Sequence, residues 1–130
     1  MTIFVDTSAL YALLDEDDSN HPAAGALLTG LRGERLVTHA YVVVEALALV
    51  GRRLGWPAVE RLLSTLMPVV EVVPVGTAVH QTALSAFREA GSDRVSFVDR
   101  VSFAFMRAER IQVAFAFDAD FAAAGFDLPE

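Results

Sequence analysis

Short apolar runs alternate with helical segments along this 130-residue chain, and the alternation limits the folds open to it. A run without polar interruption is typical of a strand buried on both faces, as strands are in a parallel sheet. Such runs predict strands at Ile3–Val5, Leu36–Val37, Val69–Val75 and Ile111–Phe117. Strands that alternate with helices predict an α/β fold, in which helices cover both faces of a central parallel sheet of four to five strands.

The segments between the strands carry signals for helix starts and stops. Candidate N-caps and stops are Thr7, Ser8, Thr38, Ser96, Gly55 and Gly91. The signals predict helices at Ala9–Leu14, Pro22–Leu31, His39–Arg53, from Trp56 to before Pro68, Thr77–Ala90, Phe97–Arg110 and Phe121–Ala124. The segment Phe126–Leu128 is a candidate fifth strand at the sheet edge.

Length and composition agree with a single domain that spans residues 1–130. Hydrophobic residues make up 54% of the chain, enough for a core and for some apolar surface that a partner covers. No apolar run approaches the ~18–20 residues of a membrane span. The first residues lack the basic region of a secretion signal, and cysteine is absent. We therefore expect a cytoplasmic protein without a membrane segment.

The net charge of -7 comes from 17 acidic and 10 basic residues, and every basic residue is Arg. An acidic balance argues against a protein that binds nucleic acid by bulk electrostatic attraction. It leaves open a nuclease whose acids hold metal ions, because four carboxylates and two divalent cations together are neutral.

Four acidic residues interrupt apolar segments. They are Asp6 after IFV, Glu45 within YVVVEALALV, Asp99 within VSFVDRVSFAFM and Asp118 within VAFAFDADF. Acids are rarely buried unless they are paired or hold a metal ion. Taken singly, each has a structural explanation. Asp6 and Asp118 suit helix caps, and Asp99 suits the first turn of a helix. Glu45 can pair with Arg52, two turns further along its helix.

The positions of these acids favour a shared site. In an open parallel sheet, binding sites lie beyond the carboxyl ends of the strands. Asp6 and Asp118 each directly follow a predicted strand, which places both at that edge. Carboxylates brought together repel each other unless a cation lies among them, and hard divalent cations such as Mg²⁺ prefer oxygen ligands. The pattern therefore predicts a divalent-metal site of the kind that cleaves phosphodiesters.

The acids lie in four segments, which are VDTSALYALLD, THAYVVVEAL, SFVDRVSFAFM and AFAFDADF. In their order and separations these segments resemble the PIN domain family, specifically the VapC-type toxin ribonucleases of toxin–antitoxin modules. The matching region extends from Ile3 to Phe121. The resemblance implies a three-layer α/β/α sandwich and metal-dependent endonuclease cleavage of RNA.

The resemblance also implies roles for single residues. The family's catalytic acidic quartet corresponds here to Asp6, Glu45, Asp99 and Asp118. Asp6 and Asp99 are the implied metal ligands, and the other two acids complete the pocket directly or through bound water. Asp120, two residues after Asp118, is the alternative fourth acid. The implied ion is Mg²⁺, for which Mn²⁺ can substitute.

Partners also follow from the resemblance. It implies an RNA substrate, with transfer RNA as the family-level expectation, and a cognate antitoxin that covers the active site. It further implies a homodimer. Thr7 or Ser8 is expected to orient Asp6 or a water molecule.

Rival functions fit the sequence less well. A receiver-type phosphoacceptor domain needs an Asp at the end of its middle strand and a late Lys, but here the third strand ends in Pro74-Val75 and Lys is absent. A phosphatase with a nucleophilic Asp needs a second Asp two residues later, but Asp6 is followed by Thr7 and Ser8. A catalytically silent PIN-like binding module is the remaining alternative, and it would bind no divalent metal.

Several other polar residues keep two interpretations. His39, at the start of the Glu45 helix, either faces the site or has a capping or surface role, and the second is favoured. Asp93 either lies at the rim of the site or is a solvated loop acid, and the second is favoured. A set of arginines either guides phosphates to the site or forms solvated faces; it comprises Arg52, Arg53, Arg94, Arg100, Arg107 and Arg110.

Overall fold

The computed structural model of the chain describes residues 1–129 and contains a parallel sheet of four strands in the order β3-β2-β1-β4. The strands are β1 (Thr2–Val5), β2 (Arg35–His39), β3 (Glu71–Val73) and β4 (Val113–Phe115). Ile3 of β1 lies opposite Leu36 of β2 and Val113 of β4. The parallel sheet predicted from the apolar runs is therefore confirmed.

Helices connect the strands and form the two outer layers. They are α1 (Thr7–Leu14), α2 (His21–Gly30), α3 (Ala40–Leu54), α4 (Trp56–Arg61), α5 (Thr77–Ala90), α6 (Phe97–Glu109) and α7 (Ala119–Ala123). The chain continues from α4 through a π-helical turn (Leu62–Leu66) and a 3₁₀ turn (Met67–Val69). Three consecutive residues of β1, Ile3–Val5, are buried. Because neighbouring side chains of a strand point to opposite faces, both faces of the sheet are covered.

The predicted caps of two helices are wrong by one or two residues. Thr38 does not cap α3; it is the fourth residue of β2, and its hydroxyl donates a hydrogen bond to the Val5 carbonyl at 2.8 Å. The N-cap of α3 is His39. The N-cap of α1 is Asp6 rather than Thr7 or Ser8, and its carboxylate accepts from the Ser8 backbone N–H. The strand β2 includes its cap residue, His39, whereas β1 ends at Val5, one residue before the cap Asp6.

The strand β4 is shorter than predicted, so Asp118 does not directly follow it. The ladder with β1 ends at the pair Val5–Phe115, because β1 itself ends where α1 begins. The chain leaves the sheet at Ala116, and Asp118 then acts as the N-cap of α7. The candidate fifth strand is reduced to a single parallel bridge between Asp127 and Val113.

Candidate active site

The carboxyl edge of the sheet carries a cleft of about 460 Å³ lined by all four acids selected from the sequence. Asp6 follows β1, and Glu45 lies on α3, the helix that follows β2. Asp99 lies in the first turn of α6, and Asp118 caps α7. Residues from four separate parts of the chain thus converge at the edge where parallel sheets form their sites.

Asp6 is held in place by one of its two carboxylate oxygens. Its Oδ2 accepts hydrogen bonds from the Ser8 backbone N–H at 3.1 Å and from the Ser8 hydroxyl at 2.7 Å. Its Oδ1 is buried and has no hydrogen-bond partner within residues 1–129. Burial, to 3% exposure, raises the pKa of Asp6 to about 6, and the charge of Glu45 adds to the rise, whereas the Ser8 hydrogen bonds oppose it. A buried acceptor without a donor is costly, which suggests a ligand at Oδ1.

Ser8 joins the start of α1 to the segment that leads from β4 into α7. Its hydroxyl donates to Asp6 and accepts from the Phe117 backbone N–H at 3.0 Å. Of the two residues expected to orient Asp6, Ser8 therefore makes the contact. The Thr7 hydroxyl is buried and has no partner in the described part of the chain. Through Ser8, the position of Asp6 is coupled to the segment that carries Asp118.

Asp99 is the most perturbed acid of the cleft. It is 8% exposed, and its backbone N–H donates to the Ser96 hydroxyl that caps α6. Burial raises the pKa of Asp99 to about 8, and the nearby charges of Asp6, Asp118 and Glu45 add to the rise. A hydrogen bond with the Asp118 carboxylate also favours the protonated form. Without a cation, burial and the neighbouring negative charges together keep Asp99 from ionising in its usual range.

Asp118 and Asp120 both approach Asp99. One carboxylate oxygen from each of the three residues lies within 4.8 Å of the other two, an arrangement that can hold a metal ion. Asp118 lines the cleft, and its Oδ1 accepts from the Asp120 backbone N–H at 2.9 Å. Asp120 also lies 3.7 Å from the Arg94 guanidinium. The geometry therefore makes Asp118 a cleft residue and keeps Asp120 available as a further ligand.

Glu45 is half-buried and lines the cleft six residues into its helix from the cap. Within residues 1–129 it forms no ion pair with Arg52, so the structural explanation for this acid fails. Arg53, the residue after Arg52, lines the cleft instead. Its guanidinium lies 5.7 Å from the centre of the Tyr11 ring. Glu45 thus lines the cleft with the other acids and forms no ion pair within residues 1–129.

The six candidate arginines occupy different parts of the molecule. Arg53 and Arg94 line the cleft. Arg107 donates to the Ala124 carbonyl at 3.0 Å and lies over the Phe126 ring, and Arg110 lines a separate cavity at the opposite edge of the sheet. Arg100 lies outside both linings. Of the candidate phosphate guides, the structure places two at the cleft.

Two buried residues near the acids were not identified from the sequence as a pair. His39 caps α3, as one of its two interpretations predicted, but it is fully buried, so the surface interpretation is wrong. Its second ring nitrogen lies 2.9 Å from the hydroxyl of Ser102, which is also fully buried. The only sequence signal for Ser102 was its place in the apolar run VSFAFM. Asp93 is an exposed loop residue, as expected.

The side chains around the cleft fit a hard divalent cation. The acidic side chains supply only oxygen donors, which Mg²⁺ and Mn²⁺ accept readily. The partnerless Oδ1 of Asp6 and the raised pKa of Asp99 both indicate negative charge that the protein itself does not compensate. Such perturbation is typical of functional sites.

A model of the PIN domain family matches residues 3–127, so the chain belongs to that family. The 23S rRNA-specific endonuclease VapC20 of Mycobacterium tuberculosis is 38% identical over 125 residues, which cover 95% of each chain. The crystal structure of that protein, described as a Sarcin-Ricin loop cleaving toxin, matches with a TM-score of 0.86 and 37% identity, again over 95% of both chains.

More distant structures share the fold. FitAcB from Neisseria gonorrhoeae matches with a TM-score of 0.73 and 20% identity, over 98% of this chain and 96% of that one. VapBC2 from Rickettsia felis, bound to a DNA fragment of its promoter, matches with a TM-score of 0.71 and 11% identity over 98% and 97%. These matches agree with the three-layer α/β/α architecture. Within residues 1–129, no helix is both long enough and apolar enough to span a membrane.

Proposed function

We propose that this chain is a divalent-metal-dependent endoribonuclease and the toxin of a toxin–antitoxin pair. The observation that carries the proposal is the group of carboxylates at the carboxyl edge of the sheet, of which Asp6 and Asp99 are buried without a basic partner. They occur in a chain that is 38% identical, along 95% of its length, to a ribosomal RNA endonuclease. Identity of this extent over a whole domain supports a shared reaction, and the acids supply the chemistry that the reaction needs.

In this proposal, Asp6 and Asp99 are the principal ligands of the metal ion. Glu45 and Asp118 complete the site, with Asp120 as a further ligand beside Asp118. Mg²⁺ is the proposed working ion, and Mn²⁺ substitutes for it. When bound, such an ion activates water as a nucleophile and stabilises the charge that develops on the phosphate.

Two features of the structure suit these acids to binding a metal ion. Ser8 fixes one oxygen of Asp6 and leaves the other without a hydrogen bond. While no cation is bound, the raised pKa of Asp99 favours its protonated form, which burial and the neighbouring acids stabilise. Ligand carboxylates must be deprotonated, so metal affinity is expected to increase between pH 6 and pH 8.

We further propose ribosomal RNA as the substrate, in preference to transfer RNA. Support comes from the 23S rRNA specificity of VapC20. Arg53 and Arg94, which line the same cleft as the acids, are proposed to contact phosphates on either side of the bond that is cleaved. Contacts to phosphates position a nucleic acid without reading its sequence, so loop shape is left to decide which RNA fits.

The proposed protein partners are an antitoxin and a second copy of the chain. Three structures of the same fold are described as VapBC or FitAB assemblies rather than as single proteins. The chain also exposes large apolar side chains, among them Trp56 at 68%, Val44 at 67% and Val72 at 43%. Exposed apolar residues are compatible with a protein interface.

The first test is calorimetric titration of Mn²⁺ into the metal-stripped protein, beside the double variant Asp6→Asn/Asp99→Asn. We expect binding by the wild type and none by the folded variant. The same two proteins are then incubated with Mg²⁺ and either a sarcin–ricin loop oligonucleotide or transfer RNA, with cleavage of the oligonucleotide expected only for the wild type. A folded wild type that binds no Mn²⁺ would instead be a PIN-like module without chemistry.

A further inference from the structure

The imidazole of His39 lies at the meeting point of the elements that carry three of the acids. It is fully buried, at 0% exposure, and it does not line the cleft. Its position at the end of β2 puts it beside β1, at the start of α3 and against α6. These elements precede or carry Asp6, Glu45 and Asp99. Each contact of the ring therefore joins it to an element that precedes or carries one of these acids.

The first contact is with the helix of Glu45. Nδ1 of His39 accepts hydrogen bonds from the backbone N–H groups of Tyr41 at 3.2 Å and Val42 at 3.3 Å. These are two of the N–H groups that a helix start leaves unsatisfied. Because both partners are donors, Nδ1 must be the unprotonated nitrogen of the ring.

The second contact is with the helix of Asp99. Nε2 then carries the proton and donates it to the Ser102 hydroxyl at 2.9 Å. The Ser102 hydroxyl donates in turn to the Val98 carbonyl at 3.0 Å, so every donor has an acceptor. Ser102 lies three residues after Asp99 on α6, about one turn away.

The third contact is with the strand that leads to Asp6. The His39 ring stacks on Phe4, with centroids 5.6 Å apart and planes inclined by 28°. Phe4 is buried in β1, two residues before Asp6. One ring therefore touches all three elements, and it joins two of them by directed hydrogen bonds.

We propose that His39 and Ser102 form a positioning pair, which fixes the helix of Glu45 against the helix of Asp99 and so sets the separation of the acids. The proposal rests on the proposed function, because it concerns the geometry of the same metal site. Neither residue is catalytic, since both are buried outside the cleft lining. Groups of this kind are known to tune metal affinity through the ligands that they orient.

Histidine suits this cap position because one ring can bind both the first N–H groups of α3 and the Ser102 hydroxyl. Ser, Thr, Asp or Asn would satisfy the first N–H groups of α3 equally well. Their side chains are too short to reach another helix at the same time. Imidazole offers an acceptor and a donor on opposite sides of a rigid ring. Burial lowers the pKa of His39 to about 4, which keeps the ring neutral and the acceptor available at physiological pH.

The test compares two variants. His39→Asn keeps a side chain that can cap α3 but is too short to reach Ser102. Ser102→Ala keeps the His39 cap and removes only the hydrogen bond to the Ser102 hydroxyl. Leu62→Ala is the matched control, because Leu62 is fully buried but lies in the π-helical turn away from the cleft. Calorimetry with Mn²⁺ alone measures metal affinity. Cleavage of the sarcin–ricin loop oligonucleotide gives kcat and KM, and thermal unfolding gives stability.

We expect both pair variants to bind Mn²⁺ about tenfold more weakly and to lose a similar factor in kcat, with KM for the oligonucleotide unchanged. Leu62→Ala is expected to lower the Tm while leaving both constants at wild-type values. Pair variants with wild-type Mn²⁺ affinity overturn the proposal. So does an equal loss of affinity in Leu62→Ala, because the effect would then be one of stability. If His39→Asn does not fold, Ser102→Ala decides alone.

A second measurement does not depend on metal. Long-range proton–nitrogen NMR on the wild type identifies which ring nitrogen of His39 carries the proton. Nε2 protonation is expected, with loss of the protection of that proton in Ser102→Ala, and Nδ1 protonation would overturn the pair. A wild type that binds no Mn²⁺ removes the proposed function and this inference with it. Binding by the wild type with unaffected variants removes the inference alone.

Discussion

Both edges of the sheet carry charged residues and a cavity. At one edge the charges are exposed and paired, whereas at the other they are buried beside charges of the same sign. At the amino edge, a cavity of about 280 Å³ is bordered by Arg35, Glu109 and Arg110. Arg35 pairs with Glu71 at 2.6 Å, and both side chains are about half exposed, at 59% and 52%. At the carboxyl edge, Asp6 and Asp99 are buried beside other acids, and the pKa of each is raised by burial.

The difference shows what distinguishes a candidate site from ordinary surface. Both edges have a concave region and several ionisable groups, so neither property separates them. An exposed ion pair is worth little energetically and needs no further partner. Buried carboxylates that face each other are unstable unless something else is present. The uncompensated charge therefore points to a ligand at one edge only.

The largest expected effect comes from exchanging one acid at each edge for its amide. Asp99→Asn removes a proposed metal ligand, so we expect cleavage of the sarcin–ricin loop oligonucleotide to fall at least about 100-fold. Glu71→Gln breaks the Arg35 pair and is expected to leave the rate within about twofold. Initial rates at saturating Mg²⁺ measure both. Comparable losses in the two variants would end the distinction between the edges.

A smaller effect is expected from the arginines. Arg53→Ala removes a proposed phosphate contact at the cleft, and we expect the Kd for a non-cleavable oligonucleotide to rise about three- to tenfold. The slope of log Kd against log salt should also fall by about one unit. Arg35→Ala, at the amino edge, is the control. Equal losses for both arginines would mean that the RNA is attracted by overall charge rather than held at the cleft.

The smallest effect concerns the stability of the metal-free protein. The pKa of Asp99 is about 8 in the folded protein and near 3.8 in the unfolded chain. The unfolded chain therefore loses this proton first, and the stability that the proton confers is lost as pH rises through about 8. Asp6 acts in the same direction at about pH 6. We expect the free energy of unfolding to fall by about 1 kcal/mol between pH 6.5 and pH 8.

The titration of His39 does not affect the free energy of unfolding between pH 6.5 and pH 8. The pKa of His39 is lowered from 6.5 to about 4, so its contribution is fully present above pH 6.5 and is lost progressively as the pH falls from there through about 4. Urea unfolding in a chelating buffer measures the slope between pH 6.5 and pH 8. Asp99→Asn should abolish the slope, and saturating Mg²⁺ should reverse it. A flat wild-type profile would mean that Asp99 ionises normally and that the two edges differ less than described.

Much of the fold was predictable because its signals are local. The helix Thr77–Ala90 was predicted with the bounds that the structure has, since Gly91 adopts a left-handed conformation that ends it. The predicted strand Ile111–Phe117 is longer than the observed β4, Val113–Phe115. An apolar run shows which residues are buried, but the end of a strand depends on where its neighbour ends. Here β1 stops at Val5, so β4 stops opposite it at Phe115.

The sequence by itself determined that the sheet is parallel, that four acids interrupt apolar segments and that these segments follow the order of the PIN domain family. Periodicity, capping and composition act over a few residues, so they can be read along the chain. Only the tertiary structure decided that Ser8 ties Asp6 to Phe117, that Arg53 rather than Arg52 lines the cleft, and that His39 meets Ser102. The first and last of these contacts join residues 109 and 63 positions apart. Packing of the whole sheet and its helices sets such pairs, and no local pattern encodes them.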